Sequence, residues 1–461
     1  MEEVLTSLKK SSIILYNFFN KGNARSVRIK KHIAGSILWR GLAMLIGFIQ
    51  VPITLNYLQP TAYGIWATIG SVIVLFSFFD IGLSHGLRNK LAEAISNDNH
   101  ALGRIYVSLT YVLVISIVLI IYTIFLLLFP YINWRFIFNA PESFDNIINP
   151  LVFIVFTSFS IGFVLQIVRT IPIADQRPAY FDFIKFTASL FTLIGIIILS
   201  LISEGSLIYV GLVFGIVPIV VYLFFTFYFF NNNYKRYKPS FSFVNFNYTK
   251  DLTSLGIKFF IIQISALVLY SSDNIIIAQV LSPTEVTPYT ISFKYFSAVM
   301  MLFTIVTTPY WSSFTDAYQK KDFNWIKSSI KNLRKMAAVL SVIVIIMVIL
   351  ADYVYKFWIG SIVNIPFSLS LFMGVNAILM MFTIPYVNFI NGVGVITLQL
   401  IVGVCEAVIN IPLSIFLAKY MNYGSTGVIM ATCIANFIAF IIWPIQYKKI
   451  ITNKAKGIWL K

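Results

Sequence analysis

Residues 105–130 read IYVSLTYVLVISIVLIIYTIFLLLFP, a stretch without one charged side chain. As a helix it would run about 39 Å, longer than the roughly 30 Å hydrocarbon layer of a bilayer. It is too long for a barrel strand, and only a helix can satisfy its backbone in lipid. Comparable apolar runs recur on both sides and predict about twelve spans, near residues 33–58, 62–83, 105–130, 150–172, 180–201, 208–231, 256–281, 288–313, 335–352, 366–388, 394–418 and 425–446. The composition agrees: 461 residues that are 59% hydrophobic and only 11% charged exceed what a soluble core can hide. The predicted class is an all-α polytopic membrane protein. The first apolar run is too long for a signal-peptide core, so no cleaved leader is expected.

A net charge of +17 raises the question of nucleic acid, and the placement of the charges answers it. With the N-terminus inside, only Arg135, Lys356 and Lys419 of the 34 lysines and arginines fall in outer segments. That bias predicts both termini in the cytoplasm and basic clusters facing anionic membrane lipids, with no nucleic-acid partner. Cys405 and Cys433 lie inside spans, and His32, His85 and His100 are far apart, so no metal site is expected. A Gly-x4-Gly-Lys-Ser/Thr phosphate loop is absent, which excludes nucleotide hydrolysis by that route. With no nucleophile elbow and no carboxylate-rich outer loop, no catalytic residue is expected, and a membrane-embedded sugar polymerase or transferase is disfavoured.

Residues 232–255 are rich in Asn and Lys and divide the chain into lobes at 33–231 and 256–446, flanked by a cytoplasmic segment at 1–32 and a tail at 447–461. The lobes look related. A shift of 223 positions lays Leu58, Pro60 and Thr61 on Leu281, Pro283 and Thr284, Glu93 and Ala94 on Asp316 and Ala317, and Arg104 on Lys327. Six helices per repeat imply a pseudo-two-fold axis along the membrane normal and a cavity between the lobes.

A charge near the bilayer centre costs about 2.5–3.5 kcal/mol and asks for a partner or for water. Lys185, Arg169 and Lys258 lie near helix ends and can snorkel. Arg40, Asp273, Lys294 and Glu406 lie deeper and are the functional candidates. Arg40 shares a helical face with Gly47 and Thr54, with Gln50 on its flank, and the seventh span presents Gln263, Tyr270, Asp273 and Asn274 in similar fashion. These polar faces are expected to line one hydrated cavity. Asp273 and Lys294 either neutralise each other as an ion pair or serve substrate and ion. Glu406 is either a proton-coupling carboxyl or a neutral hydrogen-bonding group.

The motifs FDIGL at 79–83, GLRNKLAEA at 86–94, SSDNIIIA at 271–278, VTPY at 286–289 and YF at 295–296 resemble those of the bacterial O-antigen and polysaccharide flippases. That family lies within the superfamily of multidrug, oligosaccharidyl-lipid and polysaccharide exporters. The resemblance implies a V-shaped pair of six-helix lobes in the bacterial inner membrane. It also implies a cationic cavity and alternating access, with no cofactor beyond an H+ or Na+ coupling ion in antiport. The implied substrate is an undecaprenyl-diphosphate-linked oligosaccharide destined for O-antigen or capsule. A polysaccharide polymerase and a chain-length regulator are the implied partners. On this reading Arg40 and Lys294 receive the diphosphate, and Asp273 holds Lys294 or the coupling ion. Arg88, Lys90, Glu93 and Asp316 are either a basic anchor or a cytoplasmic gate in which Glu93 and Asp316 meet basic residues across the lobes. The rival is an ion-coupled multidrug extruder of the same superfamily, which would favour a cavity dominated by carboxylates.

Overall fold

Apolar periodicity becomes helix throughout. The computed structural model describes residues 24–76, 82–253 and 272–460, and among these no strand occurs. Thirteen longer helices are labelled here. The first half holds α1 (Ala24–Phe76), α2 (Leu83–Ser96), α3 (His100–Leu128), α4 (Asp145–Leu165), α5 (Pro178–Ile202) and α6 (Leu207–Asn231). The second holds α7 (Asp273–Val280), α8 (Pro283–Thr307), α9 (Tyr310–Gln319), α10 (Phe323–Ile359), α11 (Phe367–Val393), α12 (Thr397–Ile415) and α13 (Gly424–Ile451).

Among the described residues, ten helical segments are long and apolar enough to cross a membrane. The difference from twelve has two sources. The helix α1 carries the first two expected spans, joined at Gln59, and most of the seventh span lies outside the described residues. Outward faces are aliphatic, as lipid requires: Leu119, Ile120 and Leu127 on α3 and Val339 and Ile349 on α10 are all more than half exposed.

The break in α1 is written in Leu58-Gln59-Pro60-Thr61. Pro60 offers no N–H and crowds the residue before it out of the helical region, and Gln59 takes φ 65° and ψ 161°. The equivalent position in the second half, Ser282, caps α8, whose first residue is Pro283.

The repeat is visible where the halves touch. Thr287 Oγ1 donates to the carbonyl of Pro60 at 2.6 Å. At the positions 223 residues away, the carbonyl of Pro283 sits over Gly64, where an added Cβ would lie 1.7 Å from its oxygen. The two carbonyls thus meet equivalent positions differently: Thr287 answers Pro60 with its hydroxyl, and Gly64 has to be glycine under Pro283. Between the two, Thr61 Oγ1 and Thr284 Oγ1 meet at 2.9 Å. Two equivalent residues in mutual contact stand on the pseudo-two-fold axis.

The segment after α6 is not a detached linker. Tyr237 packs on Gly103 and its hydroxyl meets His100 Nδ1 at 2.8 Å; Arg104 stacks on Phe243 and donates to the Lys238 carbonyl; the Leu252 carbonyl fits against Gly86. Residues 234–252 therefore belong to the end of the first half that carries α2.

Candidate functional site

A cavity of 520 Å³ lies between the halves, walled by both arms of α1 and by α6, α7 and α8. Its polar groups are Gln50, Thr54, Ser71, Asn274, Thr290 and Lys294, interleaved with Tyr63, Trp66, Phe214 and Phe293. Among the described residues no carboxylate lines it. Asn274 Nδ2 donates to Ser71 Oγ across the halves at 2.9 Å. Lys294 lies beside Gly47, its Cε 3.7 Å from where a Cβ would stand. Lys294 has no ion pair among the described residues.

The expected pairing of Asp273 with Lys294 is not formed. Asp273, 4% exposed, accepts from the Tyr289 hydroxyl, and its Oδ1 has no partner among the described residues. Hairpin geometry explains this. The turn between α7 and α8 falls at residues 281–282, so the residues level with Asp273 and Asn274 are Tyr289 and Thr290. Thr290 Oγ1 reaches Asn274 Oδ1 at 3.5 Å, whereas Lys294 lies about one helical turn deeper. Glu406 on α12 is likewise buried, at 6% exposure, with its Oε1 unpartnered among the described residues. Gln263, Tyr270 and Lys258 lie outside the described residues.

Arg40 has a partner that sequence reasoning missed. Its Nε donates to Asp182 Oδ1 on α5 at 2.9 Å, with Asp182 3% exposed and the Arg40 side chain 42% exposed. The carboxylate anchors one face of the guanidinium and leaves the rest accessible. Lys185 follows one turn later on α5, and the charges of Arg169, Asp182 and Arg40 all act on it. Arg169, at the end of the α4 region, stacks between Phe181 and Tyr222 with 5.0 Å to each ring centroid. Arg40, Arg169 and Asp182 are thus all near enough to Lys185 for their charges to act on it. The signal was available in Asp182 itself, an acid inside an expected span near a lysine, but it stood only two residues from the expected boundary.

On the gate reading Glu93 and Asp316 meet basic residues across the lobes when the inner side closes; here, among the described residues, each pairs within its own helix. Glu93 takes Lys90 of its own helix at 2.9 Å and Asp316 takes Lys320 of its own at 2.8 Å. The hydrogen bond to Glu93 holds the Lys90 ammonium pKa above its ordinary value. Arg88 is exposed. Hydrogen bonds between the halves instead cluster toward the Gln59 end. Besides the axial threonines, Asn139 Nδ2 donates to the Ala278 carbonyl at 2.8 Å, and the Gln279 amide donates to the Phe136 carbonyl. Trp358 Nε1 donates to the Phe48 carbonyl at 2.9 Å. One end of the interface is sealed, and among the described residues no ion pair bridges the other.

The profile of a family described as polysaccharide biosynthesis protein matches residues 29–315. A protein of Salmonella typhi named as an O-antigen transporter is 20% identical over 434 residues, 92% of this chain and 97% of that protein. One of Yersinia pseudotuberculosis named as an O-antigen export protein is 22% identical over 445 residues, 93% of this chain and 99% of that protein. Among solved structures, an inward-facing multidrug resistance MATE transporter of the MOP superfamily superposes with a TM-score of 0.77 at 14% identity, covering 91% of this chain and 98% of its own. An outward-facing one gives 0.65 at 14% identity, covering 94% and 97%. At such identities the likeness is one of fold.

Proposed function

Because the chain belongs to the polysaccharide biosynthesis protein family, we propose that it is a flippase that moves a polyprenyl-diphosphate-linked oligosaccharide across the bacterial cytoplasmic membrane. The observation that carries this reading is the central cavity, which holds Lys294 among amides, hydroxyls and aromatic rings and, among the described residues, has no carboxylate in its wall. Such a wall suits phosphate and sugar, since an ammonium answers the anion and rings with polar edges answer the glycan. It suits a cationic drug poorly, which favours the flippase over the multidrug extruder.

Arg40 is the entry cation. Held by Asp182 and reinforced by Arg169 and Lys185, it takes the diphosphate at the end of the bundle rich in lysine and arginine. The positive-inside bias makes that end cytoplasmic. Lys294 takes the phosphates next, deeper in the cavity. The sealed Gln59 end is then the periplasmic gate in its closed state, and transport requires the axial threonine contact to part. Asp273 and Glu406 are carboxylates that no described cation answers, and they serve the coupling ion, H+ or Na+. Each charge-assisted hydrogen bond to phosphate contributes about 1.5–3 kcal/mol, so losing one lowers transport about 10- to 150-fold.

The deciding measurement is the leaflet distribution of lipid-linked oligosaccharide in cells lacking this protein. Accumulation on the inner leaflet, cured by wild type but not by the Arg40→Ala, Lys294→Ala double variant, is the expected result. A normal distribution in the deletion strain, with no redundant transporter present, overturns the reading.

A further inference from the structure

A second cavity, of 280 Å³, lies within the first half between the second arm of α1, α4 and α6. Its wall is apolar apart from Ser158, Gln166 and Tyr222, and it carries four glycines, Gly70, Gly162, Gly211 and Gly215. Two of them have a packing reason. A Cβ at Gly211 would come 2.7 Å from Leu151 Cδ1, and one at Gly215 would come 2.5 Å from Ser158 Oγ, so α4 and α6 approach too closely there for a side chain.

The other two have none. A Cβ at Gly70 would meet nothing within 4 Å, and one at Gly162 would meet only Ile219 Cγ1, at 3.9 Å. Neither has a positive φ. A glycine within a helix costs about 0.5–1 kcal/mol relative to alanine. Two helical glycines that neither conformation nor contact requires keep a space open.

The slot is joined to other features at two places. Trp66, Gly70 and Phe214 line both it and the central cavity. At its opposite end Gln166 and Tyr222 are both held by Arg169, whose Nη1 donates to the Tyr222 hydroxyl at 3.4 Å and whose Nη2 donates to Gln166 Oε1. Arg169 Nε is buried and unpartnered, and no carboxylate pairs with the guanidinium among the described residues. An apolar slot that opens sideways into a polar cavity holding a lysine has the layout of a site for the tail of a lipid anion.

We propose that this slot receives the phosphate-proximal stretch of the substrate's isoprenoid chain, with its phosphates and sugars in the central cavity, where Lys294 stands. The inference rests on the flippase reading and deepens it. The tail is held by the first half during transport and does not simply trail in bulk lipid, and the empty Cβ positions of Gly70 and Gly162 are the space it fills.

The test compares binding of two synthetic diphosphate-linked oligosaccharides, one on a full-length polyprenol and one on a chain of two isoprene units, to the full protein in nanodiscs of neutral lipid. Wild type is expected to favour the long chain by about tenfold or more, since each buried CH2 contributes about 0.8 kcal/mol. Gly162→Leu fills the slot without touching the central cavity. It is expected to erase the preference while leaving short-chain affinity unchanged, and Gly162→Ala is expected to keep it. A long-chain preference that survives in Gly162→Leu, or that excess phosphatidylglycerol abolishes as readily as polyprenyl phosphate does, overturns the inference and leaves the flippase reading standing. Failure of wild type to bind either compound overturns both.

Discussion

Asp182 in the first half and Asp273 in the second are both nearly buried carboxylates on membrane helices, but they are answered by different chemistry. Asp182 meets the Arg40 guanidinium and keeps its Oδ2 without a hydrogen-bond partner among the described residues, with Lys185 one turn away on the same helix. Asp273 meets a tyrosine hydroxyl and keeps one oxygen without a partner among the described residues, and Glu406 repeats the pattern on α12. The second half's cation, Lys294, stands in the cavity and answers neither acid. On the proposed function the repeats divide the labour: the first meets the anion at entry, at Arg40, and the second holds carboxylates that no described cation answers. An unanswered carboxylate in a membrane interior costs about 2.5–3.5 kcal/mol, a deficit that a proton or a small cation removes.

The largest expected effect comes from tying the halves together where they are equivalent. In a background without Cys405 and Cys433, Thr61→Cys with Thr284→Cys is expected to form a disulfide on oxidation, because the wild-type hydroxyls already meet at 2.9 Å. Transport in reconstituted vesicles should then stop almost completely and return on reduction. Continued transport by the cross-linked protein would mean that the axial contact is no gate.

Next in size is the pair that tests the division of labour directly. Asp182→Asn loosens Arg40, and substrate affinity is expected to fall about tenfold while transport stays dependent on the ion gradient. Asp273→Asn is expected to do the reverse, leaving affinity within about twofold and abolishing the gradient dependence. Binding and gradient-driven flux, measured on the same preparations, separate the two. Equal loss of affinity in both variants would break the comparison.

How much of this was legible beforehand follows depth and distance along the chain. The helices were, because twenty apolar residues have no other fold in lipid. The repeat was legible at Leu58, Pro60, Thr61 and Leu281, Pro283, Thr284; Thr61 and Thr284 face each other at the axis, and Pro60 and Pro283 beside them meet Thr287 and Gly64. The cavity wall was read correctly at Gln50, Asn274 and Lys294, since polar residues deep in spans have few other uses. Pairings were not legible. Arg40 and Asp182 are 142 residues apart, and no local pattern reports which helices adjoin. The Asp273–Lys294 pairing failed because charge was weighed without depth; counting residues from the turn would have pointed to Tyr289. Glu93 and Asp316 chose lysines on their own helices, as exposed acids do when the facing half is out of reach.

The smallest effect tests how alike the repeats are at the turn. Gln59 and Ser282 are equivalent, but Ser282 has extended backbone with φ −168° and caps α8, whereas Gln59 sits at φ 65° and ψ 161°, a region that only glycine occupies without strain. Such a conformation costs about 1–3 kcal/mol in a side-chain-bearing residue, against about 0.5–1 kcal/mol for the extra freedom that glycine loses on folding. Gln59→Gly is therefore expected to raise stability by about 1 kcal/mol, read as a higher unfolding midpoint of the detergent-solubilised protein. The opposing term is the hydrogen bond from Gln59 Nε2 to the Asn56 carbonyl at 3.0 Å, which is exposed and contributes less than the strain. A lower midpoint in Gln59→Gly would show that this bond holds the turn closed, and that the first half spends side-chain chemistry at the axis where the second spends a helix cap.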